Sequence, residues 1–191
     1  MNFLGHLYVS GPEPLVIVGN FMGDEVKGRD LSHLHPSIQK GVRLHRAIDS
    51  FTDRHPLQRL GRSRVRPHAG RYAGVVMDMF YDHLLASDPH WWAETPLKEF
   101  APRMYTLLTA HEAFMPEATR RMLRYMATHD WLTSYGTIEG IGGAIAGLAR
   151  RVPQGAPMIG SEEVLQQHFS TYRAEFREFL PALQAHVAHL V

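Results

Sequence analysis

Residues 41–56 read GVRLHRAIDSFTDRHP and predict the helix around which the rest of the chain is arranged. Small and apolar residues recur there at intervals of three and four, which is typical of the core-facing stripe of an amphipathic helix. His45, Asp49 and Thr52 keep the same spacing on a stripe roughly 100° away, because a helix turns once per about 3.6 residues. Pro56 is expected to end the helix. The stretch therefore predicts an imidazole and a carboxylate one turn apart beside the core.

A histidine and an aspartate four residues apart are more often an ordinary side-chain pair than a functional site. The same spacing also suits two ligands of a metal ion, or a general acid and base. The choice between these alternatives depends on what accompanies the pair elsewhere in the chain.

The composition narrows the classes of protein to consider. The 191 residues, 45% of them hydrophobic, suffice for one domain with a substantial core, and we expect a single domain over residues 1–191. A net charge of +1 gives no argument for nucleic-acid binding. Without an apolar run of about 18 residues or a signal peptide, we expect a cytoplasmic protein that does not contact membranes. Because cysteine is absent, any metal must be held by His, Asp, Glu or Asn.

Residues 15–28 predict a second helix with an unusual polar pair. Asn20 and Asp24 lie four residues apart and are flanked by Gly19 and Gly23. Glycine inside a helix costs about 1 kcal/mol relative to alanine, so we expect these glycines to serve the close approach of another helix or a ligand. Such an approach would partly bury Asp24, and a cation or a hydrogen-bond donor would then compensate its charge.

Two further segments add titratable groups. Residues 2–10 predict a short helix that carries His6, and residues 69–88 predict a longer one in which Asp78 and Asp82 lie one turn apart. Acids among so many large hydrophobic residues are unlike a solvated surface. We therefore predict that the helices bundle around one cluster of nitrogen and oxygen ligands, which would suit Mn²⁺, Fe²⁺ or Zn²⁺. The predicted cluster comprises His6, Asp24, His45, Asp49, Asp78, Asp82 and His83.

The second half of the chain predicts further helices and no strand, so we expect an all-α fold. Residues 137–152 contain four glycines, which indicate close packing or fraying. Ser161 is expected to cap a last amphipathic pattern that runs to about residue 189. The prolines expected at helix starts, breaks or kinks are Pro96, Pro102, Pro116, Pro153 and Pro181.

Residues 57–71 are rich in arginine and poor in acid. Such a cluster is more often a solvated surface than a binding site. The alternative is a site for an anion or an acidic partner, which the planar guanidinium group suits. The arginines in question are Arg59, Arg62, Arg64, Arg66 and Arg71.

Four motifs, in this order and with these gaps, resemble the acyl carrier protein phosphodiesterases. They are MNFLGHLYVS, GNFMGDEVKG, GVRLHRAIDSFTDRHP and MFYDHLLA, and GLARRVP at 147–153 resembles a weaker fifth block. The resemblance implies a helical bundle distantly similar to HD-type metal-dependent phosphohydrolases. It also implies release of 4′-phosphopantetheine from a serine of holo-acyl carrier protein with a divalent cation, Mn²⁺ foremost and Mg²⁺, Fe²⁺ or Zn²⁺ as alternatives.

Transferred to this chain, the resemblance implies a metal and catalytic centre with Asn20 close by. We expect the metal ion to polarise the phosphate and activate water, and Arg46 to hold a phosphate oxygen. The identity of the general base stays open. The implied metal ligands are His6, Asp24, His45, Asp49, Asp82 and His83, and the implied catalytic residues are Asp24, His45, Arg46, Asp49 and Asp78.

The arginines of residues 57–71 would then face the acidic carrier protein. Two other functions stay open on the sequence alone, as does the oligomeric state. One is an HD-like hydrolase that acts on a small phosphate ester or a nucleotide. The other is a non-catalytic helical module that binds an acidic protein.

Overall fold

Eleven α-helices and six short 3₁₀ turns make up the computed structural model, which describes residues 1–191 and contains no strand. The predicted all-α fold is confirmed. The helices are α1 Phe3–Tyr8, α2 Pro14–Phe21, α3 Pro36–Arg54, α4 Pro56–Ala69, α5 Ala73–Ser87, α6 Leu97–Ala110, α7 Glu117–Thr128, α8 Trp131–Ser134, α9 Ile138–Ala149, α10 Ser161–Gln167 and α11 Phe169–Val187. The 3₁₀ turns are Gly23–Glu25, Gly70–Tyr72, Pro89–Trp92, Glu112–Phe114, Ala156–Met158 and Ala188–Leu190.

Prolines set both ends of the longest N-terminal helix. Pro36 occupies the first turn of α3, where a missing N–H breaks no helical hydrogen bond. Pro56 ends α3 as predicted and begins α4, and His55 lies between the two helices in an extended conformation. The Nδ1 atom of His55 accepts a hydrogen bond from the backbone N–H of Leu57, which caps α4.

Local predictions in the second half are corrected at Pro102 and Ser161. Pro102 lies inside α6, which continues through it, and Pro181 lies inside α11 without breaking it. Buried residues surround both prolines and hold the helices despite the lost backbone hydrogen bond, as Leu180 illustrates. Ser161 is the first residue of α10 rather than its cap, because Gly160 occupies the cap position with φ +87°.

Glycines bring α2 and α3 into backbone contact. A Cβ atom on Gly19 would lie 2.2 Å from the carbonyl oxygen of Ile38, and one on Gly41 would lie 2.2 Å from the carbonyl oxygen of Val16. The expected close approach of another helix is therefore confirmed. However, α2 ends at Phe21, so the residue Asp24 lies in the following 3₁₀ turn and not on the helix.

Helix α5 runs through the centre of the molecule and buries ten of its fifteen residues. One continuous core of 45 buried hydrophobic residues extends from Met1 to Val187. None of the helices combines the length and the apolar character that a membrane span requires. The core therefore fixes α1, α3 and α5 relative to one another, and these helices carry most of the predicted site residues.

Candidate metal centre

Two histidines and one aspartate from α1 and α3 meet at a single point. The Nε2 atoms of His6 and His45 each lie 3.1 Å from a different carboxylate oxygen of Asp49. The two imidazole rings are stacked, with their centroids 4.3 Å apart. Potential ligand atoms of all three residues lie within 4.8 Å of one another. Of the predicted cluster, these three residues are the ones that the fold brings closest together.

Asn20 fixes the orientation of both imidazoles. Its side-chain amide nitrogen donates to the carbonyl oxygen of His6 and to Ser10, so its Oδ1 atom is left to accept from the Nδ1 atom of His6 at 2.8 Å. Its backbone oxygen lies 2.9 Å from Nδ1 of His45. Because a carbonyl oxygen can only accept, the Nδ1 atom of each ring donates to Asn20, and both Nε2 atoms turn towards Asp49. The Nε2 atom of His6 also lies 3.1 Å from the carbonyl oxygen of Met1.

This arrangement fits a divalent metal ion. Histidine ligands of metals usually donate their second N–H to a carbonyl or carboxylate group, as both histidines do here to Asn20. Two imidazole nitrogens and a carboxylate, without a thiolate, suit a first-row divalent ion. Asp24 adds a carboxylate at the open side, with its Oδ1 atom 3.3 Å from Nε2 of His45. The donors that would hold an ion are therefore His6, His45 and Asp49, with Asp24 beside them.

The charges of the cluster depend on its shared carboxylates. Burial works to lower the pKa of His45, but hydrogen bonds to Asp24 and Asp49 outweigh it and raise that pKa to about 9. Burial works to raise the pKa of Asp49, but hydrogen bonds from both histidines hold it well below its usual range. Burial lowers the pKa of His6. Without metal, the centre therefore holds a protonated His45 beside an ionised Asp49.

Asp24 is more open than the sequence suggested. Its side chain is 78% exposed, whereas we expected a partly buried carboxylate. The close neighbour of Gly23 is the ring of His45, because a Cβ on Gly23 would lie 2.3 Å from its Cγ atom. The glycine therefore lets His45 approach the backbone, while Asp24 projects over the cluster. Its hydrogen bond with His45 lowers the pKa of Asp24 and keeps it ionised.

Asp82 does not join the cluster. Its side chain is 0% exposed, and its two oxygens accept hydrogen bonds from the backbone N–H groups of Asn2, Leu4 and Gly5 at 3.2, 2.8 and 3.1 Å. Burial raises the pKa of Asp82 to about 7, although these donors favour the anion. The carboxylate thus satisfies the free N–H groups at the start of α1. The predicted metal-ligand role of Asp82 is corrected to support of the helix that carries His6.

His83 also lies away from the cluster. Its Nδ1 atom lies 2.7 Å from the carbonyl oxygen of Tyr135, and its ring packs edge-on against Phe169. Consecutive residues of a helix point about 100° apart, and here His83 faces Tyr135 whereas Asp82 faces the start of α1. The predicted ligand role of His83 is corrected to a buried contact between α5 and the segment after α8.

Two further predicted residues have different positions. Arg46 donates from Nη2 to the carbonyl oxygens of Val26 and Gly28, at 3.0 and 2.8 Å. It holds the loop that follows Asp24, so its predicted contact with phosphate is corrected to a structural one. Asp78 does reach the open space beside the cluster, where its Oδ1 atom lies 3.0 Å from the Met1 amino nitrogen.

A cavity of about 770 Å³ opens beside the cluster. Acidic residues and Thr52 form one side, and residues of α7, α8 and α9 form the other. Most of this lining was not predicted from the sequence, although the GLARRVP block at 147–153 contains part of it. The lining residues without a predicted role include Asp53, Trp131, Gly143, Gly147, Arg150 and Arg151.

The predicted partner-binding arginines are divided by their contacts. Arg64 forms a two-pronged ion pair with Glu175, Arg62 lies 2.8 Å from Asp53, and Arg71 donates to the carbonyl oxygen of Pro153. These three are therefore occupied within the protein. The side chains of Arg59 and Arg66 are exposed and form neither an ion pair nor a hydrogen bond.

Comparison with known proteins identifies relatives over nearly the whole chain. The model of a family described as acyl carrier protein phosphodiesterase matches residues 1–183. A protein of that name from Photorhabdus laumondii is 29% identical over 184 residues, which cover 95% of this chain and 92% of the relative. Another from Yersinia pestis is 28% identical over 192 residues, with 99% and 98% covered. No solved structure matches, so a likeness to HD-type hydrolases is not confirmed.

Proposed function

Because the chain belongs to the acyl carrier protein phosphodiesterase family, we propose that it hydrolyses the phosphodiester that joins 4′-phosphopantetheine to a serine of holo-acyl carrier protein. The products are apo-acyl carrier protein and free 4′-phosphopantetheine. The hydroxyl of one water forms a bond to phosphorus, the bond from phosphorus to the serine oxygen breaks, and the serine oxygen gains a proton. The observation that carries the proposal is that the His6, His45 and Asp49 cluster lies within the matched residues and beside a cavity.

A divalent ion would supply the chemistry that these side chains lack. When bound, it polarises the phosphoryl oxygens and lowers the pKa of water. His6, His45 and Asp49 would hold it, and we assign Mn²⁺ as the ion. Asn20 would keep both Nε2 atoms directed at the ion through its two hydrogen bonds to the imidazoles.

Two other groups are assigned roles in the reaction. Asp24 is ionised, open to the cavity and next to the cluster, so it is suited to accept the proton of the attacking water. Arg150 and Arg151 are the arginines that line the cavity, and they replace Arg46 as the groups that orient the phosphate. A guanidinium group is well suited to this because it can donate two parallel hydrogen bonds to phosphate oxygens.

Mass spectrometry of holo-acyl carrier protein tests the proposal. The protein is incubated with substrate and Mn²⁺, and we expect the substrate to lose the phosphopantetheine moiety. Pretreatment with a chelator should prevent the loss, and Mn²⁺ should restore it. Unchanged holo-acyl carrier protein in the presence of Mn²⁺ would refute the proposal. Parallel incubations with nucleotides and small phosphate esters test the alternative substrates.

A further inference from the structure

The wall of the cavity formed by α9 carries few side chains. Gly140, Gly143 and Gly147 line it together with Ala144 and Leu148. A Cβ atom on Gly143 would meet nothing within 4 Å, and one on Gly147 would meet only the guanidinium of Arg150 at 4.0 Å. Glycine at these two positions therefore leaves the cavity open, and no neighbouring helix packs against it there.

The glycines of α2 and α3 provide the contrast. A Cβ atom on Gly19 or Gly41 would lie 2.2 Å from the backbone of the opposite helix, so these glycines are required for packing. No packing requirement explains Gly143 or Gly147, and glycine in a helix interior is unfavourable. The cost of these two glycines is consistent with keeping the cavity open.

A buried hydroxyl group on the opposite side of the cavity has no partner. Thr52 is 1% exposed, its Oγ1 atom makes no hydrogen bond, and it lies three residues after Asp49 on α3. Buried hydroxyl groups almost always have a partner, and Thr52 lines the cavity. The Oγ1 atom itself is closed off from the cavity, and a χ1 rotation of Thr52, for which a helix allows two rotamers, would bring it to a polar atom of a ligand.

We propose that the space between Thr52 and the glycine wall of α9 binds the pantetheine arm of the substrate. This inference rests on the proposed function and extends it to the part of the substrate that does not react. The arm is a long, flexible, uncharged chain with two amide groups, which matches an unpaired hydroxyl on one side and an uncharged helix face on the other. With the phosphate at the acidic side, the chain would extend towards Trp131 and Met122.

The size of the cavity favours this occupant over a piece of the carrier protein itself. Its volume of about 770 Å³ lies within the range of roughly 300–1,000 Å³ that is usual for small-molecule sites. A ten-residue helix is about 15 Å long and 10 Å wide, so it needs about 1,200 Å³. The carrier protein would therefore stay outside, and only its prosthetic arm would enter.

Substitutions of graded size at Gly143 test the proposal. Gly143→Ala, Gly143→Leu and Gly143→Trp add increasing volume to the cavity at a position where a Cβ atom meets nothing within 4 Å. We expect the KM for holo-acyl carrier protein and the Kd for free pantetheine, measured by calorimetry, to rise in that order, by about tenfold or more for Leu. Gly142→Ala is the control, because its Cβ points at the flexible end of Glu162 and Gly142 does not line the cavity.

The two measurements separate this inference from the proposed function. If the wild type does not cleave holo-acyl carrier protein, the proposed function fails, whereas pantetheine binding that Gly143→Leu abolishes would still support the site. If the wild type cleaves the substrate and Gly143→Leu keeps its KM and its Kd for pantetheine, the arm binds elsewhere and the inference is wrong. Absence of pantetheine binding to the wild type would also overturn it.

Thr52→Val provides a second, nearly isosteric variant. Because the hydroxyl has no partner within the protein, its removal should leave the melting temperature unchanged or slightly higher. Pantetheine binding should weaken about fivefold. A lower melting temperature with an unchanged Kd would show that Thr52 acts in folding and not in binding.

Discussion

The carboxylates of Asp49 and Asp82 differ in one respect that separates a reactive centre from a structural one. Both lie on helices of the core, and both accept hydrogen bonds with each oxygen. Asp82 accepts hydrogen bonds from backbone N–H groups at the start of α1, which have no acceptor within the helix and cannot bind metal. Asp49 accepts from imidazole nitrogens, which can exchange a proton for a cation. The identity of the donors, and not the presence of a buried acid, therefore marks the candidate metal centre.

The two centres are nevertheless connected through α1. Asp82 holds the backbone of residues 2–5, and His6 follows directly. A Cβ atom on Gly5 would lie 2.0 Å from the terminal methyl of Met1 and 3.2 Å from Asp82, so Gly5 lets both side chains approach α1 closely. Loss of Asp82 should therefore affect the cluster indirectly, through the stability of α1, whereas loss of Asp49 should affect it directly.

The largest effect is expected for Asp49→Ala. This variant removes the carboxylate shared by both histidines, so we expect kcat/KM to fall roughly a thousandfold or more, which corresponds to about 4 kcal/mol of transition-state stabilisation. The side chain of Asp49 is 41% exposed, and the helix should remain folded. Release of phosphopantetheine, bound metal and circular dichroism are measured together. Glu117→Ala, on the surface of α7, is the control, and metal binding by Asp49→Ala equal to that of the wild type would contradict the assignment.

Asp82→Ala should instead reduce stability. It leaves three backbone N–H groups at the start of α1 without their acceptor, and we expect the free energy of unfolding to fall by about 3 kcal/mol. Urea denaturation of the metal-free protein measures the change. The sequence alone placed Asp82 among the metal ligands, for which loss of activity would be the main effect, whereas its contacts in the structure support α1. If the variant kept its stability but lost bound metal, Asp82 would be a metal ligand after all.

The pH dependence of stability should also distinguish the centres. The pKa of His45 is raised to about 9 in the folded protein, so its stabilising contribution is complete below about pH 6.5 and is lost as the pH rises through 9. Asp82 acts in the same direction at lower pH, because its pKa is raised to about 7 and its deprotonation destabilises the fold. We expect the metal-free protein to lose about 2 kcal/mol between pH 6.5 and 9.5, measured by urea denaturation. His45→Gln should remove most of this loss, and a stability that increases over that range would contradict the prediction.

Local patterns predicted the frame of the site but not all of its members. The period of α3, the glycines of α2 and the break at Pro56 act over a few residues, so the sequence is sufficient to interpret them. The positions of Asp82 and His83 depend on which neighbour each side of α5 meets, and the sequence does not contain that information locally. The role of the α9 glycines could not be predicted locally, because it depends on α9 facing Thr52, which lies more than 80 residues earlier in the chain.

The smallest effect concerns the arginines of α4. The exposed Arg66 forms no ion pair, whereas Arg64 is held by Glu175. Arg66→Glu should therefore leave stability unchanged and raise the KM for the acidic carrier protein about threefold at low salt, because long-range attraction accelerates encounter. At high ionic strength the difference should disappear, since salt screens exposed charges. Lys98→Glu, on α6, serves as a control for the change in net charge. An unchanged KM of Arg66→Glu at low salt would show that the α4 surface does not bind the carrier protein. Arg150 and Arg151 would then be the cationic groups next to the site.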